Sequence, residues 1–283
     1  MYLVIGATGN VGGELVKQLL GLGEDVRALV RDASRASALP AGVSIAVGSL
    51  EDPASLAAAA AADGVDGVFF MQLAPIPAQA QAFIDSVRST GLKRVVVLSS
   101  VGTRLHPAPT IGAFIAARDD VFRASDLDVT YVYANGLMSN AQWWAPTIRE
   151  SGQVIDGTEP GKVGVVDPYD VAAVAAVALT QPGHVGHGYF VTGPEALSPS
   201  EQTAILSEVL GRPLEFVAST PEVEAQRSIE RGTAPQMAAA RQNLDELFML
   251  SRAGILTDDV YNLTGTVPRS FRTWVQNHTT AFT

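Results

Sequence analysis

Residues 2–12 read YLVIGATGNVG, and they decide the fold of this chain. The run Tyr2–Ile5 is short and apolar, as a buried strand is, and it ends at a turn with three glycines spaced three apart. Beyond the turn, apolar side chains recur at helical spacing over residues 11–22. A strand, a glycine turn and an amphipathic helix in this order predict the first unit of a parallel α/β sheet.

The same alternation continues through the first hundred residues. Strands are predicted over residues 26–30, 44–47, 65–71 and 94–99, and helices over residues 52–63 and 78–90. Strands that are apolar throughout are typical of parallel sheets covered by helices on both faces. The sequence therefore predicts an α/β fold with a doubly wound parallel sheet of the Rossmann type.

The pattern changes after residue 100. A helix is predicted over residues 111–124, a strand over 129–133, further strands over 163–166 and 188–192, and a helix over 168–179. The remaining predicted helices cover residues 198–210, 221–231, 235–254 and 270–278. We expect an NAD(P)-binding Rossmann domain over residues 1–135, its sheet completed by segments in residues 160–192. A smaller, mostly helical substrate lobe is expected over residues 136–283, interleaved with the sheet.

Composition excludes several classes of protein. The net charge of −10 and a pI near 4.8 argue against nucleic-acid binding, which needs clustered cations. The chain has no cysteine, so disulfides and thiolate chemistry are excluded. No stretch approaches the roughly 18 apolar residues of a membrane helix, and the N-terminus lacks the features of a signal peptide. We expect a cytoplasmic protein that binds neither nucleic acid nor membrane. It is expected to act on a small molecule and to be a monomer or a homodimer.

The glycine turn indicates a dinucleotide site. Gly6 permits the tight turn, Gly9 lets the backbone approach a pyrophosphate, and Gly12 lets the helix pack against the strand. The helix N-terminus adds amide hydrogens and a favourable dipole. A glycine triplet is weak evidence alone, but its place between strand and helix is the context that the motif requires; a turn with no ligand is the alternative. The contacts expected from this turn are Gly6, Thr8, Gly9, Asn10, Val11 and Gly12.

The end of the second predicted strand bears on the type of cofactor. Arg31 stands at its tip, where a guanidinium pairs with the 2′-phosphate of NADP(H) or stacks on adenine. Asp32 is the competing signal, because a carboxylate there accepts the ribose hydroxyls of NAD(H). We predict that NADP(H) is preferred and that NAD(H) is also possible; surface arginines without a ligand are the alternative.

Motifs that carry a family resemblance are spread over nearly the whole chain. They are GATGNVG at 6–12, VRALVRD at 26–32, DPASL at 52–56, KRVVVLSSVG at 93–102, VDPYDVAAVAAVAL at 166–179, TGPEALS at 192–198 and TGTVPRSFRTWVQNH at 264–278. With them the chain resembles the NmrA-like branch of the atypical short-chain dehydrogenase/reductases, which includes NAD(P)H-dependent quinone reductases and redox-sensing regulators. The resemblance implies a Rossmann domain, a small C-terminal lobe and a substrate cleft between them.

The resemblance also implies cofactor contacts beyond the first turn. They come from the ends of the later strands. After the third predicted strand this chain has Ser49 where the family often has an aspartate, so adenine contacts there are expected to differ. The contacts expected outside the glycine turn are Arg31, Ser49, Leu50, Met71, Gln72, Leu73 and Ser99.

The chain departs from the resemblance in its acid–base residues. Ordinary short-chain reductases use a Tyr-x-x-x-Lys pair, in which the lysine lowers the pKa of the tyrosine. None of the three lysines here lies four residues after a tyrosine, so that pair is excluded. Ile115 occupies the position where many relatives carry a basic residue. Transfer of hydride to an electron-poor acceptor tolerates weak acid assistance, because the difficult chemistry belongs to the cofactor.

Three side chains are candidates for catalysis. His106, in the loop after the fifth predicted strand, is a candidate proton donor. Tyr133 ends the sixth predicted strand, and Asn140 could orient a carbonyl or the nicotinamide. A solvated loop histidine and a packed tyrosine with a satisfied hydroxyl are the structural alternatives. The side chains predicted to line the substrate pocket are Phe114, Met138, Trp143 and Trp144, although packing within the lobe is the alternative for the two tryptophans.

Two functions remain from the sequence. The first is an NADPH-dependent reductase of a quinone, enone or imine, and the second is a non-catalytic NADP(H)-binding redox sensor that acts through a protein partner. The missing basic residue favours the sensor, and the tryptophan pair favours the enzyme. We expect an NAD(P)H-dependent oxidoreductase, because losing one acid–base residue removes about 10²–10⁴-fold in rate rather than all catalysis. His184 and His187 lack a third ligand nearby, so no metal site is predicted.

Overall fold

The computed structural model describes residues 1–61, 64–72, 76–88 and 90–283, and within them the chain has nine strands. They are β1 (Tyr2–Ile5), β2 (Val26–Val30), β3 (Ser44–Val47), β4 (Gly67–Phe70), β5 (Arg94–Ser100), β6 (Asp128–Ala134), β7 (Gln153–Asp156), β8 (Gly188–Val191) and β9 (Glu215–Ala218). Seven strands form one sheet in the order β3-β2-β1-β4-β5-β6-β8. The predicted doubly wound sheet is confirmed.

The strand order decides where ligands can bind. Strand β1 pairs in parallel with β2 on one side and β4 on the other, so that Val4 lies opposite Ala28 and Phe69. The β2–β3 and β4–β5 pairs are also parallel. The chain therefore winds outward from β1 in both directions, and the carboxyl ends of these strands share one edge. A change of winding direction is where open α/β sheets bind their ligands.

Helices alternate with the strands and then dominate the C-terminal third. Those in the described ranges are α1 (Asn10–Gly21), α2 (Pro53–Ala60), α3 (Pro77–Arg88), α4 (Thr110–Arg123), α5 (Ala145–Ser151), α6 (Pro168–Thr180), α7 (Pro199–Leu210), α8 (Pro221–Glu230), α9 (Pro235–Met249), α10 (Asp259–Thr264) and α11 (Phe271–Asn277). Six of them begin at a proline, whose fixed φ and missing N–H suit the first helical turn. Ser198 and Glu201 close a capping box on α7.

The chain divides into two compact units, and the first holds the glycine turn. It comprises Met1–Ser100, Phe114–Tyr133 and Val171–Phe190. Strands β1 and β4 are buried along their whole length, as expected for parallel strands covered on both faces. The rings of Phe70 and Phe122 meet edge to face with centroids 4.8 Å apart, a favoured aromatic geometry.

The second unit comprises Val101–Ala113, Ala134–Asp170 and Val191–Thr283. It contains the parallel pair β7–β9 and the helices from α7 onward. Its hydrophobic core includes Trp274, which is 1% exposed and whose ring stacks on that of Phe271. The boundary at residue 135 and the role of this unit as a substrate lobe remain predictions.

The structure differs from the prediction within the second unit. Residues 163–166 were predicted as a strand, but they form only two isolated bridges, Val163 with Leu197 and Val166 with Leu137. The strands β7 and β9 and the helices α5 and α10 were not predicted. Each has seven residues or fewer, which is too short for a hydrophobic period to identify it.

Two buried carboxyl groups stand at the start of α6. Asp167 and Asp170 are 3% and 2% exposed. The backbone N–H of Arg269 donates to Asp170 Oδ2 at 2.7 Å, and the guanidinium Nη1 of Arg269 lies 3.6 Å from Asp167 Oδ2. Burial, together with the negative charge of Asp167, raises the pKa of Asp170 to about 6, against the lowering effect of the hydrogen bond from Arg269. The folded protein therefore binds a proton here more tightly than the unfolded chain does.

Asp170→Asn is expected to remove a pH dependence of stability. The folded pKa lies above the ordinary 3.8, so the carboxyl group destabilises the fold increasingly as pH rises from about 4 to about 6. The variant keeps an acceptor oxygen but cannot ionise, and it should gain roughly 3 kcal/mol relative to the parent over that window. Urea midpoints of both proteins measured below, within and above the window test this. A difference between the two proteins that stays constant with pH would contradict it.

Candidate functional site

The glycine turn connects β1 to α1 by a tight backbone path. Gly6 has φ +83°, a conformation that favours glycine. The Gly9 N–H donates to the Gly6 carbonyl oxygen at 2.9 Å, and the Gly13 N–H donates to the Gly9 carbonyl at 2.8 Å. Thr8 and Asn10 are exposed on this turn. The turn therefore brings backbone and small side chains to the carboxyl end of β1, where a phosphate group would approach.

Gly12 is where the helix comes closest to the turn. A Cβ atom at this position would lie 2.1 Å from the Gly6 carbonyl oxygen and 2.7 Å from its carbonyl carbon. Val11 beside it is buried, which holds the first turn of α1 against the sheet. The N-cap residue of α1 is Gly9, which has no side chain to cap the helix. The first turn of α1, which lies within the described ranges, carries no acidic residue. The positive end of the helix dipole is thus suited to a phosphate.

At the end of β2 the structure separates the two competing residues. Asp32 caps the 3₁₀ helix Ala33–Ala38, because its Oδ1 accepts the Ser34 N–H at 2.8 Å. Hydrogen bonds from the backbone and the side chain of Ser34 lower the pKa of the Asp32 carboxyl group. Arg31 is exposed at the tip of the strand. The carboxylate is therefore committed to its own turn, whereas the guanidinium faces solvent.

The ends of β3 and β4 supply the next predicted contacts. Ser49 Oγ accepts the Glu51 N–H at 3.2 Å, and Leu50 beside it is half-buried. The sulfur of Met71 would lie 3.2 Å from a Cβ built on Gly6, so Met71 packs against the glycine turn. Leu73 lies outside the described residues.

Gln72 carries a buried oxygen that is not hydrogen bonded. Its Nε2 donates to the Ile76 carbonyl at 3.1 Å and to Gln79 Oε1 at 2.7 Å. Its Oε1 has no partner among the described residues, although the residue is only 9% exposed. A buried acceptor without a donor is costly. An amide or hydroxyl donor of a bound cofactor would satisfy it, and the site therefore fits a dinucleotide.

Ser99 lies at the end of β5 in a buried polar network. Its Oγ donates to Asp119 Oδ2 at 2.5 Å. The Arg118 guanidinium donates to Asp119 Oδ1 from Nε at 3.0 Å and from Nη2 at 2.6 Å, and also to the Leu98 carbonyl. Arg118 and Asp119 are 2% and 0% exposed. The network ties α4 to the end of β5. The sequence showed an acidic residue at position 119, but its partners could not be read from it.

The three catalytic candidates have different surroundings. Tyr133 is 2% exposed; its ring stacks on Tyr131 and Phe190, and its hydroxyl accepts a hydrogen bond from Arg123 Nη2 at 3.2 Å. His106 is exposed, and Asn140 is half-buried within the 3₁₀ helix Met138–Trp144. The structure places Tyr133 in the first unit and the other two in the second.

The four residues predicted to line the substrate pocket are also dispersed. Phe114 is 48% exposed on α4. Met138 is fully buried in the core of the second unit. Trp143 is 61% exposed, and Trp144 is half-buried with its indole N–H donating to Asp156 Oδ2 at 3.3 Å. The two tryptophans of this group line a cavity in the second unit.

That cavity has a volume of about 360 Å³, within the range of small-molecule sites. Its walls come from the 3₁₀ helix Met138–Trp144, the helices α5, α8 and α9, the end of β7, and the segments that follow β7 and α8. Its lining is Trp143, Trp144, Thr147, Ile155, Asp156, Gly157, Thr158, Glu224, Arg227, Ser228, Arg231, Thr233, Arg241 and Asp245. The contribution of α8 and α9 was not predicted. The signal in the sequence was the spacing of Glu224, Arg227 and Arg231, which places them on one helical face.

Charged side chains in the cavity are arranged in pairs. The Arg241 guanidinium lies 4.6 Å from the Trp143 ring centroid, and its Nε donates to Asp245 Oδ1 at 2.7 Å. Burial raises the pKa of Asp245, while the Arg241 cation opposes that effect. Arg227 pairs with Glu224 at 2.8 Å. The cavity thus combines two indole rings with three guanidinium groups, a lining suited to a flat polar ligand.

Two absences hold for the described part of the chain. It contains no group of three His, Cys, Asp or Glu side chains placed to hold a metal ion. His184 Nδ1 is instead hydrogen bonded to the Tyr189 hydroxyl at 2.8 Å. No helix in these ranges is long and apolar enough to cross a membrane.

Comparison with known proteins identifies the family of this chain. Residues 6–182 match the NAD(P)H-binding family. The chain is 37% identical to an NAD(P)H azoreductase of Xenophilus azovorans, over 100% of this chain and 99% of the relative. It is 36% identical to a (4-alkanoyl-5-oxo-2,5-dihydrofuran-3-yl)methyl phosphate reductase of Streptomyces griseus, again over 100% and 99% of the two chains.

Solved structures show the same fold at lower sequence identity. An NADPH-dependent quinone oxidoreductase of Escherichia coli, complexed with NADPH, is 20% identical, covers 99% of this chain and 100% of its own, and has a TM-score of 0.84. A triphenylmethane reductase of a Citrobacter species, complexed with NADP(H), is 22% identical, covers 98% and 99%, and has a TM-score of 0.83.

Proposed function

Because this chain belongs to the NAD(P)H-binding family and is an NAD(P)H-dependent oxidoreductase, we propose that it transfers hydride from NADPH to a small, electron-poor conjugated or aromatic acceptor. Quinones, enones and imines are the acceptor classes. The observation that carries the proposal is the full-length similarity to two reductases. The names of those relatives describe an azo group and a furanone with a conjugated double bond.

The proposed chemistry needs little from protein acids. The cofactor, when bound, would supply a hydride to the electrophilic end of the conjugated acceptor, with NADP⁺ as the oxidised product. The electron pair moves to the other end of the acceptor, which takes a proton from water or from a side chain. This balance does not require a Tyr-x-x-x-Lys pair, which the chain lacks. Catalytic roles for His106, Tyr133 and Asn140 stay predictions.

The residues of the first unit are proposed to hold the cofactor in three places. The N-terminus of α1 with the Gly6–Gly12 turn would receive the pyrophosphate. The buried Gln72 Oε1, which lacks a donor among the described residues, would accept a hydrogen bond from the cofactor. Arg31 would pair with the 2′-phosphate. Since Asp32 caps its own turn, this arrangement supports a preference for NADPH over NADH.

Arg31→Ala is expected to raise the Kd of NADPH by about 30-fold, because it removes a charge-assisted contact to the 2′-phosphate. The Kd of NADH, which lacks that phosphate, should stay within about twofold. Titration calorimetry with both dinucleotides measures the effect. Arg35→Ala is the matched control, since Arg35 is an exposed arginine on the adjoining 3₁₀ helix. Equal losses for the two dinucleotides, or an equal effect at Arg35, would show that Arg31 does not read the phosphate.

The acceptor is proposed to bind against Trp143 and Trp144 in the cavity of the second unit. Indole rings stack on flat conjugated molecules, and a volume of about 360 Å³ admits one such ligand. Because the lining residues Trp143 and Arg231 are exposed, solvent would be available as the source of the proton.

The proposed function is tested by following NADPH oxidation by the purified protein against a panel of quinones, enones, cyclic imines and azo dyes, with NADH in parallel. Saturable turnover of at least one acceptor class, faster with NADPH, is expected. Tight NADPH binding without oxidation by any member of the panel would overturn the proposal.

A further inference from the structure

One guanidinium group that lines the cavity of the second unit is not part of a salt bridge. Three carboxylates and three guanidinium groups line it. Glu224 pairs with Arg227 at 2.8 Å, and Asp245 pairs with Arg241 at 2.7 Å. Arg231 has no carboxylate within ion-pair distance among the described residues, so its guanidinium is the one in this lining that no salt bridge engages.

The third carboxylate, Asp156, is satisfied by neutral donors. Its Oδ1 accepts both the backbone N–H of Thr158 at 2.8 Å and the Thr158 hydroxyl at 2.6 Å. Its Oδ2 accepts the Trp144 indole N–H at 3.3 Å. Because three donors stabilise this anion in place, it does not need a cationic ligand, and it fixes the Trp144 ring at the wall of the cavity.

Arg227 lies in the last turn of α8 and Arg231 is the C-cap residue that follows the helix; both line the cavity. Arg231 is exposed, and its guanidinium has five N–H donors to offer. A planar guanidinium can bind a carboxylate, sulfonate or phosphate group through two parallel hydrogen bonds. The aromatic wall of Trp143 and Trp144 belongs to the same cavity.

From this arrangement we propose that the cavity binds flat aromatic oxyanions, with the ring against Trp143 and Trp144 and the anionic group on Arg231. This inference rests on the proposed function, since it assigns the acceptor to the class of aromatic molecules that carry an acidic substituent. Arg231 would then determine specificity without touching the atoms that react. The acceptor's ring and its acid group would be recognised by separate walls of one cavity.

The test compares two probes of the same ring, 2-naphthalenesulfonate and the neutral 2-naphthalenemethanol. Both are titrated by calorimetry into the full-length protein, with and without NADP⁺. The parent should bind the sulfonate about tenfold more tightly than the alcohol. Arg231→Gln should remove that advantage and leave the alcohol unchanged, and Arg231→Lys should restore most of it. Arg272→Gln, an exposed arginine of the same unit outside the cavity, should behave as the parent.

A steady-state arm connects the binding site to turnover. With an anionic and a neutral naphthoquinone as acceptors, Arg231→Gln should raise KM about tenfold for the anionic quinone alone and leave kcat unchanged. The absence of cysteine means that quinones cannot add to protein thiols.

The outcomes separate this inference from the proposed function. Equal affinity of the parent for both probes, or an Arg231→Gln variant that binds the sulfonate as the parent does, would overturn the inference even if NADPH oxidation proceeds. Arg231-dependent binding of the sulfonate without turnover of any acceptor would instead support the inference as a binding site and overturn the reductase proposal.

Discussion

Gly12→Ala is expected to lower NADPH affinity by at least about 100-fold, equivalent to roughly 3 kcal/mol, and to destabilise the fold by about 3 kcal/mol. The added methyl carbon would lie 2.1 Å from the Gly6 carbonyl oxygen, which is backbone and cannot rotate away. Either α1 moves off the sheet or the turn changes shape, and both disrupt the phosphate-binding end of the helix. Urea unfolding and calorimetric titration with NADPH measure the two losses.

The neighbouring glycine provides a matched control. A Cβ atom on Gly13 would meet the Ala7 carbonyl oxygen at 3.5 Å, which is ordinary van der Waals contact. Gly13→Ala should therefore be neutral or stabilise the helix by up to about 1 kcal/mol, with NADPH affinity unchanged. If both alanine variants behave alike, the close approach at Gly12 is not what positions the turn.

Asp119→Asn is expected to destabilise the protein by about 3–5 kcal/mol. The side chain accepts two hydrogen bonds from Arg118 and one from Ser99, and both members of the ion pair are almost completely buried. Removing the negative charge would leave the Arg118 cation uncompensated in a region from which water is excluded. Because Asp119 holds the Ser99 side chain near the end of β5 through a hydrogen bond, the variant that remains folded should also bind NADPH more weakly.

Asp120→Asn is the control for that substitution. Asp120 follows directly on α4 and pairs with Arg123, but its side chain is 70% exposed. A surface pair contributes little, so the variant should stay within about 1 kcal/mol of the parent. Chemical denaturation of the two variants side by side tests the contrast. Equal stability losses at positions 119 and 120 would show that burial of the ion pair is not what makes Asp119 important.

Several parts of the site were predictable from the sequence because they depend on local pattern. The glycine spacing after Tyr2–Ile5 is read within a dozen residues, and it predicted the turn whose close approach at Gly12 the structure shows. Arg31 was predictable in the same way, because the length of an apolar strand decides which residue stands at its tip. The continuous apolar strands predicted a parallel sheet covered on both faces, since only buried strands lack a polar side.

Asp32, at the end of β2, shows the limit of what a local sequence pattern can predict. Arg31 and Asp32 were both candidates for the contact with the ribose end of the cofactor, and the sequence alone is consistent with either residue in that role. The structure shows that the Asp32 carboxylate caps the turn that follows it. Side-chain capping depends on the path of the backbone, which the residue types did not specify.

What the sequence by itself determined about this protein is the Rossmann sheet, the glycine turn and the arginine beside it, because each arises from residues that are close along the chain. The tertiary structure alone decided which side chains share a cavity and which are buried together. Ser99 meets Asp119 across 20 residues, and Trp143 meets Arg241 across almost a hundred. Such contacts depend on how helices pack, and many helical sequences satisfy the same hydrophobic period while presenting different polar residues to their neighbours.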